Sequence, residues 1–231
     1  MVHIGGLQKV SMIDYPGKLS TVLFLKGCNF HCPYCHNPSL TRNIPVTTID
    51  EEDVRSYLET RRDLLDGVVI SGGEPTLQPG LPDLCRAFKA RGFDVKLDTN
   101  GSFPDVLKAL IQDRLIDYIA MDVKTDPDDY APTLCGPDLS AAIKASIALI
   151  LHSGLPHEFR TTCFRPLINA RTMGRIAALI KGAKAYAIQK FCAKETLDPN
   201  AGSSRDHFFD DNELWHLKAI AEPMVEYCFV R

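Results

Sequence analysis

The sequence lacks long apolar runs, which excludes an ordinary membrane-spanning helix. The longest runs, such as IALIL at 147–151, fall far short of the roughly 18 apolar residues that a helix needs to cross a bilayer. The first residues, MVHIGGLQKV, also lack the charged start and apolar block of a secretory signal. We therefore expect a cytoplasmic protein with no membrane partner.

An excess of charge of one sign is also absent. Lys and Arg number 26 and Asp and Glu number 29, which gives a formal net charge of −3. A chain with no net positive field does not attract nucleic acid, so we expect no nucleic-acid partner. No repeat, low-complexity tract or flexible linker divides the 231 residues. We predict a single domain over 1–231, with a core at about 18–192 and a C-terminal cover at about 193–231.

The chain does contain a regular alternation of β-rich runs and helical patterns. Six runs predict strands, at 20–27, 67–73, 94–100, 117–124, 158–164 and 185–191. Helical patterns separate them, and a last helix at 210–222 precedes a short strand or tail. This alternation is typical of βαβ units around a parallel sheet. Six units are too few for a closed barrel of eight, so we predict an α/β fold with an open, partial (β/α)6 TIM-like barrel and a C-terminal helix. A doubly wound sheet is the alternative that the pattern leaves open.

Polar and glycine residues follow the first four predicted strands. They are Cys28, Cys32 and Cys35 after the first, Gly72, Gly73, Glu74 and Pro75 after the second, Asp98, Thr99, Asn100 and Gly101 after the third, and Asp122 and Lys124 after the fourth. A turn or helix cap would explain each group separately, but four in succession are poorly explained in this way. Ligands gather at the carboxyl ends of parallel strands in both candidate folds, so we predict one binding site there.

Three of the eight cysteines, Cys28, Cys32 and Cys35, fall within eight positions. A closed zinc site needs a fourth ligand, which His31 or His36 could supply. An iron–sulfur cube held by only three thiolates instead leaves one iron open to a small molecule. The other cysteines are scattered and are expected to be small buried apolar residues: Cys85, Cys135, Cys163, Cys192 and Cys228.

The spacing C-x3-C-x2-C, with Tyr34 before the third cysteine and Gly72-Gly73-Glu74-Pro75 downstream, resembles the signature of the radical S-adenosylmethionine superfamily. The resemblance implies that the three thiolates hold a 4Fe–4S cluster and that S-adenosylmethionine chelates the open iron through its amine and carboxylate. The second motif would bind the methionyl amino group. Reductive cleavage of the cofactor would then yield a 5′-deoxyadenosyl radical.

Longer stretches of the sequence resemble one branch of this superfamily. Residues 27–40, GCNFHCPYCHNPSL, together with DTNG at 98–101 and DVK at 122–124, are similar to the glycyl-radical-enzyme activases. Residues 5–28 look most like the activating proteins of anaerobic ribonucleoside-triphosphate reductase. This resemblance implies a partner glycyl radical enzyme, from whose glycine a hydrogen atom is removed, and a one-electron donor such as flavodoxin or ferredoxin.

The same resemblance implies further cofactor contacts. In pyruvate formate-lyase activases, aspartates at the positions of Asp98 and Asp122 help to hold a monovalent cation beside the cofactor carboxylate. Thr99, Asn100 and Lys124 lie next to these aspartates in the sequence and would also bind the cofactor. Arg160, on the fifth predicted strand, matches a basic position in the same activases.

One departure concerns the sixth predicted strand. It ends in QKFC at 189–192, where those activases have Pro-Tyr-His, so that Cys192 stands in the place of the histidine. Gln189 or Phe191 would then take over the ribose or adenine contact.

Two other functions compete with this interpretation. A small-molecule radical enzyme such as 7-carboxy-7-deazaguanine synthase shares the short length, but it typically departs from the cysteine-loop pattern found here. A zinc-stabilised binding module without catalysis leaves GGEP at 72–75 and DTNG at 98–101 unexplained.

Overall fold

A computed structural model describes residues 2–41, 47–193 and 195–231. Its strands are β1 (Ile4–Ser11), β2 (Ser20–Leu25), β3 (Gly67–Gly72), β4 (Asp94–Thr99), β5 (Tyr118–Asp122), β6 (His157–Cys163), β7 (Tyr186–Lys190) and β8 (Cys228–Val230). Its α-helices are α1 (Pro38–Thr41), α2 (Glu51–Glu59), α3 (Leu81–Lys89), α4 (Pro104–Gln112), α5 (Ser140–His152), α6 (Ala170–Leu179) and α7 (Asp211–Ala221). Among the helices of these described ranges, none combines the length and the apolar character that crossing a bilayer requires.

The strands form one sheet in which they follow each other in chain order, from β1 to β8, without closing. β1 pairs antiparallel with β2, whereas β2 to β4 and β6 to β8 pair in parallel. The predicted α/β fold with an open, partial barrel and a C-terminal helix is confirmed. The doubly wound alternative is wrong, because the strand order never reverses as that fold requires.

The six predicted strands correspond to β2 to β7, and the end of the chain forms the short strand β8. Strand β1 was not predicted. Its residues IGGLQKVS do not alternate apolar with polar side chains, and only its two terminal residues are buried. Pairing with β2 therefore stabilises β1 more than burial of its own side chains does.

The chain folds into two compact units. Unit 1 comprises Met1–Asn29, Ser39–Thr99 and Asp105–Ile119, and unit 2 comprises Phe30–Pro38, Asn100–Pro104 and Ala120–Arg231. The single domain expected from the sequence stays a prediction. In unit 1, Tyr15, Val22 and Val69 form a buried cluster against which Phe24 and Tyr118 pack.

Local sequence sets the helix ends. Asp50 caps α2 by accepting a hydrogen bond from the Glu52 amide, and three acidic residues occupy the first turn, where they favour the helix dipole. At α7, Asp210 and Glu213 form a reciprocal capping box.

Candidate functional site

The loop between β2 and α1, residues 26–37, carries Cys28, Cys32 and Cys35, and we call it the cysteine loop. In unit 1, the GGEP segment lies against the start of this loop. The Gly73 amide donates to the Leu25 carbonyl at 2.9 Å, and the Glu74 amide donates to the Gly27 carbonyl at 2.8 Å. A Cβ on Gly73 would collide with the Gly27 carbonyl oxygen, and Gly72 has a φ of +117°, which non-glycine residues rarely adopt. Two motifs that are distant in sequence are therefore in backbone contact one residue before Cys28.

The Glu74 carboxylate is completely buried. Its Oε1 accepts from the Thr76 amide at 3.1 Å, from the Thr76 hydroxyl, and from the Thr99 hydroxyl at 2.7 Å. Hydrogen bonds to an ionised carboxylate are stronger than those between neutral groups. Thr99 at the end of β4 thus fixes the side chain of the GGEP motif, while Pro75 begins a buried 3₁₀ turn beside it.

Asp98 on β4 has a cationic neighbour that lies outside the sequence motifs. Lys96 forms an ion pair with Asp98, is only 1% exposed, and its ammonium lies 5.7 Å from the centroid of the Tyr118 ring. Ser71 on β3 donates to the other Asp98 oxygen at 3.1 Å. A lysine two residues before the aspartate in a buried strand was the available signal, since i and i+2 side chains share one face of a strand.

In unit 2, Asp122 lies between two cations. Lys124 Nζ donates to Oδ2 at 2.9 Å, and Arg160 Nε donates to Oδ1 at 2.6 Å. Burial raises the pKa of Asp122, but the charges of Arg160 and Lys124 outweigh it and hold that pKa well below its usual range. Burial lowers the pKa of Lys124, but the Asp122 carboxylate outweighs it and raises that pKa well above its usual value.

The series of ion pairs continues to residues that were not predicted to belong to the site. Glu158, whose side chain is 4% exposed, lies 3.9 Å from Arg160 Nη1 and 3.6 Å from Arg231 Nη2. When the Gln189 amide is oriented with its oxygen towards Arg231, this oxygen accepts from the Arg231 guanidinium at 3.2 Å. The sequence indicated Arg160 and Gln189 but not Glu158 or Arg231, because no local pattern links β6 to the residue after β8.

Asn100, which follows β4 in sequence, is 95% buried and holds its own turn. Its Oδ1 accepts from the Ser102 amide at 2.9 Å and from the Ser102 hydroxyl at 2.6 Å. These bonds fix the Asn100 side chain locally.

The three clustered cysteines are thiols outside any disulfide, as are the other five. Of those five, four are buried as expected, whereas the expectation is wrong for Cys192, which is exposed after the end of β7. Cys32 is buried, whereas Cys28 and Cys35 are partly exposed. The Cys35 amide donates to the Cys32 carbonyl at 3.0 Å, and the His31 amide donates to the Leu134 carbonyl at 2.9 Å. Within residues 2–41, 47–193 and 195–231, no three His, Cys, Asp or Glu side chains surround a single metal ion.

Tyr34 has an unusual hydroxyl. The residue is 4% exposed, and its Oη has no hydrogen-bond partner within the described chain. Burial, reinforced by the nearby Cys32, raises the Tyr34 pKa well above its usual value despite the opposing charge of Lys124. Because buried hydroxyls are nearly always paired, this atom is suited to a group from outside the chain.

Phe191, after β7, is a core residue. It is 2% exposed, and its ring contacts the nearly parallel rings of His36 at 6.0 Å and Phe208 at 5.1 Å between centroids. His36 Nε2 donates to the Cys192 carbonyl at 2.8 Å. Of the two residues considered for a nucleoside contact, Phe191 is therefore used for packing, and Gln189 is the more accessible.

Comparisons with known proteins identify the family to which the chain is similar. The model of the Radical SAM superfamily matches residues 22–181. A Methanocaldococcus jannaschii protein provisionally named as a glycyl-radical enzyme activating enzyme is 36% identical over 236 residues, which covers 99% of this chain and 95% of the relative. The pyruvate formate-lyase-activating enzyme of Clostridium pasteurianum is 30% identical over 145 residues, 59% of this chain and 58% of the relative.

Two further similarities extend this picture. The 7-carboxy-7-deazaguanine synthase of Methanopyrus kandleri is 30% identical over 164 residues, 59% of this chain and 64% of the relative. The crystal structure of Streptococcus suis SuiB bound to S-adenosylmethionine shares the fold, with a TM-score of 0.66 and 13% identity over 89% of this chain and 48% of SuiB. Because the family model spans most of the barrel strands and one relative matches over nearly the full length, the chain belongs to the radical S-adenosylmethionine superfamily, in the branch of the glycyl-radical-enzyme activating enzymes.

Proposed function

We propose that this enzyme abstracts a hydrogen atom from a glycine of a partner glycyl radical enzyme, and that the partner is an anaerobic ribonucleoside-triphosphate reductase. The observation that carries the proposal is the backbone contact between Glu74 and Gly27, which joins the GGEP motif to the cysteine loop. The near full-length similarity to the M. jannaschii protein supports the activase reaction. The choice of the reductase depends on residues 5–28 alone.

The chain fits the two cofactors that the superfamily implies, a 4Fe–4S cluster and S-adenosylmethionine. Cys28, Cys32 and Cys35 would hold the cluster, and since each thiolate would bind a different iron, the sulfurs need not converge on one ion. Gly72 and Gly73 pack so closely against the backbone of Leu25 and Gly27 that a Cβ would not fit, which places the GGEP motif directly beside Cys28. The Tyr34 hydroxyl lacks a partner within the described chain, as expected of a group that completes its hydrogen bonding with a ligand.

When bound, the cluster and S-adenosylmethionine supply one-electron reductive cleavage and hydrogen abstraction. The protein supplies position and charge. We assign Gly72, Gly73, Glu74 and Pro75 to the methionyl amino group. A buried carboxylate whose Oε1 is fixed by Thr76 and Thr99 is a strong acceptor for an ammonium.

We assign Asp98 and Asp122, with Thr99, Asn100, Lys124, Arg160 and Gln189, to the remaining contacts with S-adenosylmethionine. A monovalent cation near the two aspartates also stays a proposal. Lys96 forms an ion pair with Asp98, and Lys124 and Arg160 form ion pairs with Asp122, so each carboxylate already has a cationic partner within the protein. Replacing K⁺ by a bulky organic cation in the assay buffer should lower activity more than twofold, and unchanged activity would refute the monovalent cation.

We also propose a cytoplasmic location and a small one-electron carrier, such as flavodoxin or ferredoxin, as reductant. The proposed reaction requires single electrons at low potential, which such carriers provide. Reconstituted enzyme supplied with a reduced carrier should form 5′-deoxyadenosine, and a carrier that supports no turnover would be ruled out as the reductant.

A second candidate is a radical enzyme acting on a small molecule. The similarity to the M. kandleri 7-carboxy-7-deazaguanine synthase over 59% of this chain favours it specifically. Under this alternative, cofactor cleavage would be stimulated by a small heterocyclic substrate, and no glycyl radical would form on a partner protein.

The decisive experiment is anaerobic reconstitution with iron and sulfide. We expect a brown protein that bleaches with dithionite, forms 5′-deoxyadenosine, and produces a glycyl radical signal in electron paramagnetic resonance when mixed with a candidate reductase. Cys32→Ala should abolish all three results. Cys85→Ala is the matched control, because Cys85 is completely buried and burial raises its pKa to about 12.

A colourless protein holding one zinc ion would refute the radical reaction. Cleavage without a glycyl radical on any reductase would refute only the choice of partner.

A further inference from the structure

The segment after β7 lies against residues 33–36, which belong to the part of the cysteine loop in unit 2. The Leu197 amide donates to the Cys35 carbonyl at 3.0 Å, and the Asp198 amide donates to the Pro33 carbonyl at 3.0 Å. One residue further along the loop, His36 Nε2 donates to the Cys192 carbonyl at 2.8 Å. Three hydrogen bonds therefore join Cys192, Leu197 and Asp198 to the short stretch 33–36 of the loop.

A layer of aromatic rings reinforces this contact. Phe208 lies 5.1 Å from Phe191, and His207 lies 5.2 Å from Phe164, measured between ring centroids. Tyr34 of the loop packs on Phe164 at 5.4 Å and on Phe191 at 6.4 Å. The loop residue between Cys32 and Cys35 thus packs on the same rings as the segment that follows β7.

The segment is itself well anchored. Arg165, after β6, donates its amide to the His207 carbonyl at 3.1 Å and its guanidinium to the Phe208 carbonyl at 2.8 Å. His207 Nδ1 donates to the Ala201 carbonyl at 2.8 Å. At Gly202, a Cβ would come within 2.6 Å of the Ala193 side chain, so the segment folds back closely on the chain that leaves β7.

We propose that residues 195–209, which we call the clamp segment, position Cys35 through the Leu197 and Asp198 amides. A carbonyl held at Cys35 and another at Pro33 restrict the backbone torsions on both sides of the thiol, and hence the direction of its Sγ. The clamp segment lies outside residues 22–181, the range matched by the superfamily model. A part of the chain beyond the common family pattern would therefore set the geometry of a cluster ligand.

The ligand function of Cys35 comes from the proposed function, whereas the position of its thiol can be measured without any cluster. The test uses the full-length chain with Gly202→Ala. The Ala193 side chain is too short to rotate away from the new Cβ, so the contact between the clamp segment and the chain that leaves β7 must open. Gly174→Ala on α6 is the matched control, because its Cβ would make only an ordinary contact, 3.8 Å from Ile220.

The first measurement is the alkylation rate of each thiol in the metal-free protein, followed by mass spectrometry. We expect Cys35 to react about tenfold faster in Gly202→Ala, as the loss of one or two net hydrogen bonds would allow. Cys192, which is exposed, should keep its rate, and the buried Cys85 and Cys163 should stay slow in both variants. Faster reaction of Cys85 and Cys163 as well would show general loosening of the fold and overturn the proposal.

The second measurement is the electron paramagnetic resonance spectrum of the reduced, reconstituted cluster. Gly202→Ala should shift or broaden the signal relative to wild type and Gly174→Ala. Unchanged Cys35 alkylation together with an unchanged spectrum would overturn the proposal. If none of the three proteins assembles a cluster but Gly202→Ala still accelerates Cys35 alone, the proposed function fails while the positioning of Cys35 by the clamp segment stands.

Discussion

Replacing Tyr34 by Phe should stabilise the metal-free protein. The side chain is 4% exposed, its ring packs on Phe164 and Phe191, and only its hydroxyl lacks a partner within the described chain. A buried polar group without a hydrogen bond costs about 1–3 kcal/mol. Removing it while keeping the ring should therefore raise the free energy of unfolding by about 1 kcal/mol or more. For a chain of this size that corresponds to roughly 2–4 °C in Tm per kcal/mol.

Tyr130→Phe is the matched control. Tyr130 is completely buried, but its hydroxyl accepts from the Lys124 amide at 2.8 Å. The same substitution there removes a satisfied bond and leaves the partly buried Lys124 amide unpaired, which should lower the free energy of unfolding by about 1–3 kcal/mol. The two variants should thus shift stability in opposite directions, measured by urea unfolding of the metal-free protein.

The same Tyr34→Phe variant should bind S-adenosylmethionine more weakly after reconstitution, by about threefold to tenfold, because one hydrogen bond is lost. Isothermal titration with wild type in parallel measures this effect. A Tyr34→Phe protein that is less stable than wild type without metal would refute the reasoning on the hydroxyl. Unchanged affinity would show that its partner is not S-adenosylmethionine.

Three further predictions concern other parts of the molecule. Gly73→Ala should destabilise the chain and reduce its iron content after reconstitution, because the new Cβ meets the Gly27 carbonyl, whereas Gly136→Ala, which points into open space, should match wild type in both. Lys96→Met removes the buried charge partner of Asp98 and should cost about 3–5 kcal/mol in urea unfolding, and addition of Asp98→Asn should recover part of this loss. His157 is buried, donates from Nδ1 to the Leu155 carbonyl and accepts at Nε2 from the Lys184 amide, so burial holds its pKa below 6.5. Because the pKa of His157 is lowered by folding, its contribution to stability is complete above pH 6.5 and is lost on acidification. The urea midpoint should therefore fall more steeply between pH 7 and 5 in wild type than in His157→Gln. Equal slopes would contradict the lowered pKa of His157.

The sequence was sufficient for the barrel because the six core strands are short β-rich runs bounded by turns, each followed by a helical pattern. These features are local, so β2 to β7 could be predicted within two residues at each end. Strand β1 could not be predicted, because its side chains carry no alternation and it forms by pairing with β2.

The candidate site divides in the same way. The spacing of Cys28, Cys32 and Cys35 and the GGEP motif could be recognised in the sequence, because the residues of each motif are close together along the chain. The pairing of Lys96 with Asp98 carried a weak signal in the strand pattern. No sequence pattern indicated the series of ion pairs that runs from Lys124 through Asp122 and Arg160 to Glu158 and Arg231. Its members come from β5 and the residues after it, from β6 and from the residue after β8.

By itself, the sequence determined the superfamily, the three thiols and the order of the β/α units. Only the tertiary structure decided which carboxylates are neutralised by lysine and arginine, that the Tyr34 hydroxyl is buried without a partner in the described chain, and that residues 195–209 hold the backbone of Cys35. The physical reason is that motif spacing is a property of neighbouring residues along the chain. Burial and ion pairing depend instead on side chains that distant strands bring together.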